Sequence, residues 1–464
     1  MRRSATPLRP HPPIARINPA HRSSTGRITS SFSESSATTA PALTPDLITT
    51  PAALEALVER LMAATAGTPA APIALDTETT ALNPFQAELV GIGLCWGEGP
   101  ADLAYIPIGH HPATPGSGAA GADAATPDLF AEAPTQLPLA TVLTALAPWL
   151  ASPQHPKTLQ NAKYDRLILM RHGLPLAGVV MDTLLADYLR DANAKHGLEV
   201  LAERNLGFSP SSYGELVPKG ADFSSVPIDA AAQYCGMDVH VTRRLTPLLR
   251  QQLVDLGPQL PGLLDQVELP LEPVLAQMEL NGIKLDTKYL SKMSSELSDQ
   301  ISDIEQEIYG IADSQFNISS PQQLADVLFS KLKLPVQGIK KGKTGYSTAA
   351  SELDKLRGQS PIIDLISQYR EYTKLKNTYV DTLPRLVDEA SRIHTTFNLT
   401  IAQTGRLSST DPNLQNIPVR TELGKRIRTA FIAEKDMALV SADYSQFELR
   451  LAAYLADDKE LINM

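Results

Sequence analysis

Cysteine is scarce. Cys95 and Cys235 are the only two in 464 residues, and they lie far apart, without the close spacing of a zinc site or a disulfide framework. Both read as buried thiols of a reducing compartment. A long apolar run is missing too. The longest candidate, LPLATVLTALAPWLA from Leu137, is short and broken by Pro148, so no membrane span is indicated. No internal repeat is visible, and there is no excess of positive charge. A formal net charge of -10 excludes a protein that holds polyanions through its overall charge, though not through local patches. Finally, no acid precedes Glu34. Residues 1–48 carry Arg2, Arg3, Arg9, Arg16, Arg22 and Arg27 among Ser, Thr, Pro and Ala. Such a segment buries no core and is expected to be a disordered or targeting leader. As a transit peptide it would direct organelle import; otherwise a cytoplasmic protein is expected.

What is present is ordinary soluble-protein composition, 43% hydrophobic and 20% charged, on a chain long enough for two or three domains. PAALEALVERLMA has helical spacing. PIALD, ELVGIGLCW and ADLAYIPIG read as three consecutive strands. The low-complexity stretch from His111, HPATPGSGAAGADAATPDLF, reads as an exposed loop, and helices dominate thereafter. This predicts an α/β layer domain over 49–258. Long helical patterns then occupy 259–390, around a lysine-rich insert with Lys331, Lys333, Lys340, Lys341 and Lys343. A third region, 391–464, opens with IHTTFNLT as a strand and contains the apolar run Ala438–Val440, read as a second strand delivering Asp443. Arg420, Lys425, Arg426 and Arg428 form another basic cluster. Each basic cluster fits either a solvated surface or local phosphate contacts.

Three short motifs carry the chemistry. In ALDTETT, the period of two places Asp76 and Glu78 on one face of a strand. NAKYDRLIL offers Asn161 and Asp165 at i, i+4, and QYCGMDVHVTRRL offers Tyr234 and Asp238 at the same spacing, so each pair is expected to share a helix face. Singly, each acid is equally a solvated strand end or a helix-terminal charge. Together, the four could converge on two hard divalent cations, Mg²⁺ or Mn²⁺, of the kind that activate water and stabilise the leaving oxygen of a phosphodiester.

The order DTET, N-x-x-x-D, Y-x-x-x-D resembles the proofreading 3′→5′ exonucleases with four acidic ligands and a tyrosine. That resemblance implies a ribonuclease H-like domain in which Asp76, Glu78 and Asp238 hold one ion. Asp76 would also hold the second, with Asp165 contributing directly or through water, and Tyr234 would position the nucleophile. Leu82 matches a leucine that wedges into fraying DNA ends, and Asn161 is expected beside the DNA.

Downstream, ELPLEPVLAQMELNGIKLD, NISSPQQLADVLFSKLKLP, TIAQTGRLSSTDPNLQNIPVR and SADYSQFELRLAAYLADD resemble family A DNA polymerases of the bacterial type. The implied architecture is the exonuclease domain, then a helical thumb, then part of a polymerase palm. The lysine insert would track duplex phosphates at the thumb tip, and Arg406 would reach the minor groove. Asp443 would be a polymerase metal ligand, with Tyr444, Gln446 and Glu448 at the nucleotide pocket. Phe447 departs from the usual aliphatic residue. The family's second palm carboxylate and fingers helix lie beyond Met464, so primer extension and dNTP binding by this chain alone are not expected. DNA is the expected partner and a monomer the expected state. Two alternatives share some of these residues: a ribonuclease D-like exonuclease, against which the thumb and TGRLSS segments argue, and a non-catalytic DNA-binding remnant.

Overall fold

A computed structural model describes residues 40–65, 71–111, 135–343 and 345–463. The leader up to Thr39 and the expected loop over 112–134 lie outside the described residues. The fold begins within the stretch read as leader. Asp46–Leu47 form strand β1, and Leu43 and Ile48 are buried. Two well-placed aliphatic side chains suffice to anchor this Thr- and Pro-rich segment on the sheet.

The first layer is a six-stranded sheet built from β1, β2 (Ile73–Thr79), β3 (Leu89–Cys95), β4 (Leu103–Pro107), β5 (Lys157–Leu159) and β6 (Val179–Asp182). Its spatial order is β1-β4-β3-β2-β5-β6. The three expected strands are β2, β3 and β4, an antiparallel meander. β5 and β6 continue the sheet in parallel with β2; at three and four residues they are too short for periodicity to reveal. The helices around this sheet are α1 (Pro51–Ala64), α2 (Leu139–Ala151), α3 (Ala162–Arg171), α4 (Thr183–Arg190), α5 (Leu198–Leu206), α6 (Tyr213–Leu216) and α7 (Ile228–Leu256).

Strand alternation divides β2 between two cores. Ile73 and Leu75 join the cluster made with α1, α2 and α3. Ala74 turns to the opposite face, among Cys95, Leu103 and Val239 of α7. Asp76 and Glu78 continue the Ala74 series, so the period of two aims both carboxylates toward α7 and turns Thr77 the other way. Two glycines of β3 make room for this layer. A Cβ on Gly93, opposite Asp76 in the ladder, would stand 2.4 Å from Cys235 Sγ.

A further helical run comes after α7. It comprises α8 (Leu260–Leu263), a π turn (Leu264–Glu268) and α9 (Leu269–Asn281). Pro270 has no N–H to continue the regular ladder, which suits the wide turn. Leu264 packs into one cluster with Leu245, Leu249 and Leu253 of α7, so apolar contacts run continuously across residue 258. Beyond lie β7 (Ile283–Leu285), α10 (Thr287–Ala312), α11 (Pro321–Ala325), the hairpin β8 (Lys341–Gly342) and β9 (Gly345–Tyr346), α12 (Ala350–Leu353) and α13 (Ile362–Leu375). α10 and α13 share two successive apolar clusters. The last elements are β10 (Arg392–Ile393), β11 (Thr396–Asn398), β12 (Ser408–Thr410), α14 (Glu422–Thr429), β13 (Phe431–Ile432) and α15 (Phe447–Ala456). β7 pairs with both β10 and β13, and β11 pairs with β12.

Two expectations fail here. IHTTFNLT is not one strand but β10 and β11, which belong to different sheets. The run Ala438–Val440 is not a strand: residues 437–446 are exposed and Val440 is 89% accessible. A strand exists only through hydrogen bonds to a neighbouring edge, and no described segment pairs with this one. Among the described residues, no helix is long and apolar enough to cross a membrane.

Candidate active site

The site grows from the end of β2. β2 and β5 pair only at Ile73–Lys157 and Ala74–Thr158 and then separate. The first turn of α3 enters the gap. Thr77 donates from its backbone N–H (2.9 Å) and from its hydroxyl (2.7 Å) to Oδ1 of Asp165. Asp165 is thereby locked at the open edge of β2. The start of α3 is itself held by Asp182, whose carboxylate accepts from the N–H groups of Asn161 (3.1 Å) and Ala162 (2.8 Å). The same carboxylate caps α4 through Leu184 (2.9 Å), so one acid ties together two helix N-termini.

From the opposite face α7 brings Tyr234, Cys235 and Asp238. Among the described residues, Asp76, Glu78 and Cys235 bring ligand-type atoms within 4.8 Å of one another. Cys235 Sγ lies 3.8 Å from Asp76 Oδ2. Asp165 and Asp238 stand outside that trio but within electrostatic reach. Burial pushes the Asp76 carboxyl up to about 6, offset in part by hydrogen bonds from Cys235 and Thr77. Glu78 is raised well above the usual carboxylate range by burial, then by the charges of Asp76 and Asp238. Asp165 and Asp238 are raised well above it by burial, then by Asp76. Burial, with Asp238 second, also raises Tyr234 and keeps its phenol protonated.

Four sequestered carboxyls cannot all ionise side by side without a counter-charge. Glu78 is only 7% exposed, and its Oε1 has no hydrogen-bond partner among the described residues. An orphaned anionic oxygen among other carboxylates fits a divalent cation, which favours such donors. The residues present are therefore suited to metal binding.

Asn161 departs from its expected place. It is not on the helix face of Asp165 but at the N-cap of α3, exposed and left-handed (φ 64°). The i, i+4 spacing fails there because the chain turns into the helix only at Ala162. Leu82, 96% exposed, projects from the turn after β2. That turn is fixed by Tyr164, whose hydroxyl donates to Ala81 O (2.5 Å) and pairs with Thr79 Oγ1 (2.5 Å). Leu82, Asn161 and Tyr164 line one groove, together with Phe397 and Asn398.

Sequence reasoning missed Thr77, Tyr164 and the position of Cys235. Cys235 stands next to Tyr234 and three residues before Asp238, a helical spacing that could have placed it on the site.

The second set of residues is exposed. Lys331, Lys333, Lys340, Lys341 and Lys343 are all exposed, in a segment that turns inward only at Leu332, Leu334 and Ile339. Lys331 Nζ reaches Asp313 O (2.8 Å) at the end of α10, and Lys341 lies over the Tyr346 ring at 5.3 Å. Of the other basic cluster, Arg426 pairs with Glu296 and Lys425 with Glu422. Asp443, Tyr444, Gln446 and Glu448 are all exposed. Gln446 is the left-handed N-cap of α15, and Glu448 pairs with Arg406 at 3.0 Å. Asp443 belongs to no cluster of three candidate ligands among the described residues.

Comparison with known proteins matches two regions of the chain. A family model for 3′-5′ exonuclease matches residues 45–254, and one for DNA polymerase family A matches residues 287–464. The DNA polymerase I of Synechocystis sp. is 44% identical over 421 residues, 90% of this chain and 40% of that protein. That of Chloroflexus aurantiacus is 42% identical over 419 residues, 88% of this chain and 41% of the relative. Among solved structures, the polymerase domain of Pol1 from M. smegmatis in complex with DNA primer-template and dNTP aligns with a TM-score of 0.71 at 33% identity. The alignment covers 90% of this chain and 64% of that one. The chain thus spans only part of the length of its relatives.

Proposed function

Because the chain belongs to the family A DNA polymerases and carries their 3′-5′ exonuclease domain, we propose that it removes nucleotides from DNA 3′ ends by hydrolysis. One observation carries this reading: Asp76, Glu78, Asp165 and Asp238 meet in a buried site beside Tyr234, and Glu78 Oε1 is left without a partner. Two divalent cations of the Mg²⁺ or Mn²⁺ class, held by these four acids, would supply charge neutralisation and a water of lowered pKa. The chain's own groups do the rest. Tyr234, held as a phenol by its surroundings, donates a hydrogen bond that orients the attacking water. Thr77 keeps Asp165 in one rotamer, so the acids need not reorganise as the reaction proceeds. Leu82 offers an apolar wedge at the mouth, against which a terminal base can unstack. The lysines of the 331–343 segment and Arg406 approach the phosphates and groove of the duplex. Asp443, Tyr444, Gln446 and Glu448 are the polymerase-type residues of the same molecule.

The test is a gel assay on 5′-labelled single-stranded DNA with Mg²⁺ or Mn²⁺, run beside a primer-template with all four dNTPs. Stepwise shortening from the 3′ end is expected, reduced about 100-fold or more in Asp76→Ala. Intact substrate with the unaltered protein would instead support a DNA-binding role without catalysis.

A further inference from the structure

The proposed nuclease needs only oxygen donors, yet the group of ligand-type atoms found among the described residues contains sulfur. We propose that Cys235 is a metal ligand, and that Asp76, Glu78 and Cys235 form a mixed carboxylate–thiolate site for a borderline-soft divalent cation of the Zn²⁺ class.

Three observations converge on it. The first is distance. In a tetrahedral zinc site with a Zn–S bond of about 2.3 Å and a Zn–O bond of about 2.0 Å, the sulfur and oxygen stand about 3.5 Å apart. Cys235 Sγ and Asp76 Oδ2 stand 3.8 Å apart, and one atom from each of the three residues falls within 4.8 Å of the others. The second is the orphaned Oε1 of Glu78, on a side chain more than nine-tenths buried. That oxygen has no hydrogen-bond partner among the described residues, and Glu78 supplies one of the three ligand atoms grouped with the thiol. The third is built-in space. Cys235 is fully buried against Gly93, where any Cβ would strike the sulfur. The glycine thus leaves the space in which the sulfur sits, opposite Asp76 in the β2–β3 ladder. Asp76 is partly accessible, so the group is not closed to solvent.

Thiolate ligation would alter what the site prefers. Hard ions gain little from sulfur, whereas Zn²⁺ and Cd²⁺ bind it strongly. On binding, the M–S bond forms as the S–H bond breaks, and the proton passes to solvent, so one proton is released per ion from this group. A soft ion seated this way occupies Asp76 and Glu78, and so displaces the hard ion that hydrolysis would use.

The thiolate site shares its carboxylates with the proposed nuclease, but ligation, not cleavage, is its readout. Cd²⁺ titrated into the full chain should produce a near-stoichiometric ultraviolet thiolate-to-metal band. That band should persist in Cys95→Ala and vanish in both Cys235→Ala and Cys235→Ser, the second guarding against a packing defect. Glu78→Gln should keep the band but weaken Cd²⁺ binding about 10-fold or more. Competition by Zn²⁺ should bleach the band, and excess Mg²⁺ should not. Cd²⁺ binding without a band, or a band that survives in Cys235→Ser, overturns the proposal. The two readings separate cleanly. DNA cleavage without a thiolate band refutes the sulfur ligand and leaves the nuclease standing, while a band without cleavage does the reverse.

Discussion

At the scale of single residues, the molecule repeatedly uses one buried side chain to satisfy several neighbours. Lys157 is fully buried and donates to the carbonyls of Trp149 (2.7 Å), Ser152 (3.0 Å) and His155 (2.8 Å), closing the end of α2. Asp182 holds the starts of α3 and α4. Asp187 accepts from Arg190 (2.8 Å), His196 (2.6 Å) and Arg204 (2.5 Å). Burial alone would raise the Asp187 carboxyl, but these three donors outweigh it and hold it below the usual value. A group whose pKa is depressed on folding adds stability above its unfolded pKa of 3.8, and that contribution drains away as pH falls through the folded value. Asp187→Asn is therefore expected to lower stability by about 2 kcal/mol at pH 7. In urea denaturation, the gap between variant and parent should narrow as the pH drops below 3.8. A gap unchanged at low pH would show that the substitution disturbs packing rather than charge.

At the scale of elements, α3 joins the exonuclease-type site to the elements beyond α7. One side of it presents Asp165 to β2. The other side presents Lys163 and Arg166 to α9, where Lys163 pairs with Glu279 at 2.5 Å and Arg166 with Glu272 through two hydrogen bonds of 2.7 Å. All four side chains are nearly inaccessible. Glu279 also accepts from Phe397 N (2.7 Å) on β11. Removing one partner of such a pair strands a buried charge, whereas the intact pair contributes little net stability. Glu272→Ala should thus destabilise the chain by about 3–5 kcal/mol. Glu272→Met combined with Arg166→Met should recover most of that loss, and thermal unfolding would measure both. Equal losses in the single and double variants would mean that the salt bridge is not the active element. The shared apolar cluster around Leu264 implies that α8 and α9 help to stabilise α7, the helix that carries Tyr234, Cys235 and Asp238.

At the scale of the whole molecule, the balance of charge and the surface act together. The net charge of -10 repels a polyanion at long range, so the proposed DNA binding would have to come from short-range lysine and arginine contacts. Each phosphate contact contributes about 0.9 to the slope of log affinity against log salt. Replacing Lys340, Lys341 and Lys343 together by Ala should flatten that slope by about 2–3 and weaken all duplex sequences alike. Fluorescence anisotropy at several salt concentrations would show it; an unchanged slope would remove this segment from the DNA-contacting surface. Apolar side chains, Val440, Tyr444, Phe447, Tyr454 and Leu455 among them, are exposed along the final segment. A face of this kind is a site of association or aggregation.

The sequence by itself singled out the candidate acids: DTET, N-x-x-x-D and Y-x-x-x-D contain them, and alternation in β2 dictates that Asp76 and Glu78 share a face. It also determined the long helices, because their periodicity is written in consecutive residues. Tertiary structure alone decided what depends on partners distant in the chain. It turned Asn161 out of the α3 face, left Ala438–Val440 unpaired, and split IHTTFNLT between two sheets. It also placed Cys235 against Asp76 across a glycine of β3 and lifted the carboxyl pKa values by burying them together. Periodicity is a local property, whereas strand pairing and desolvation are set by which segments meet, and no stretch of sequence carries that information alone.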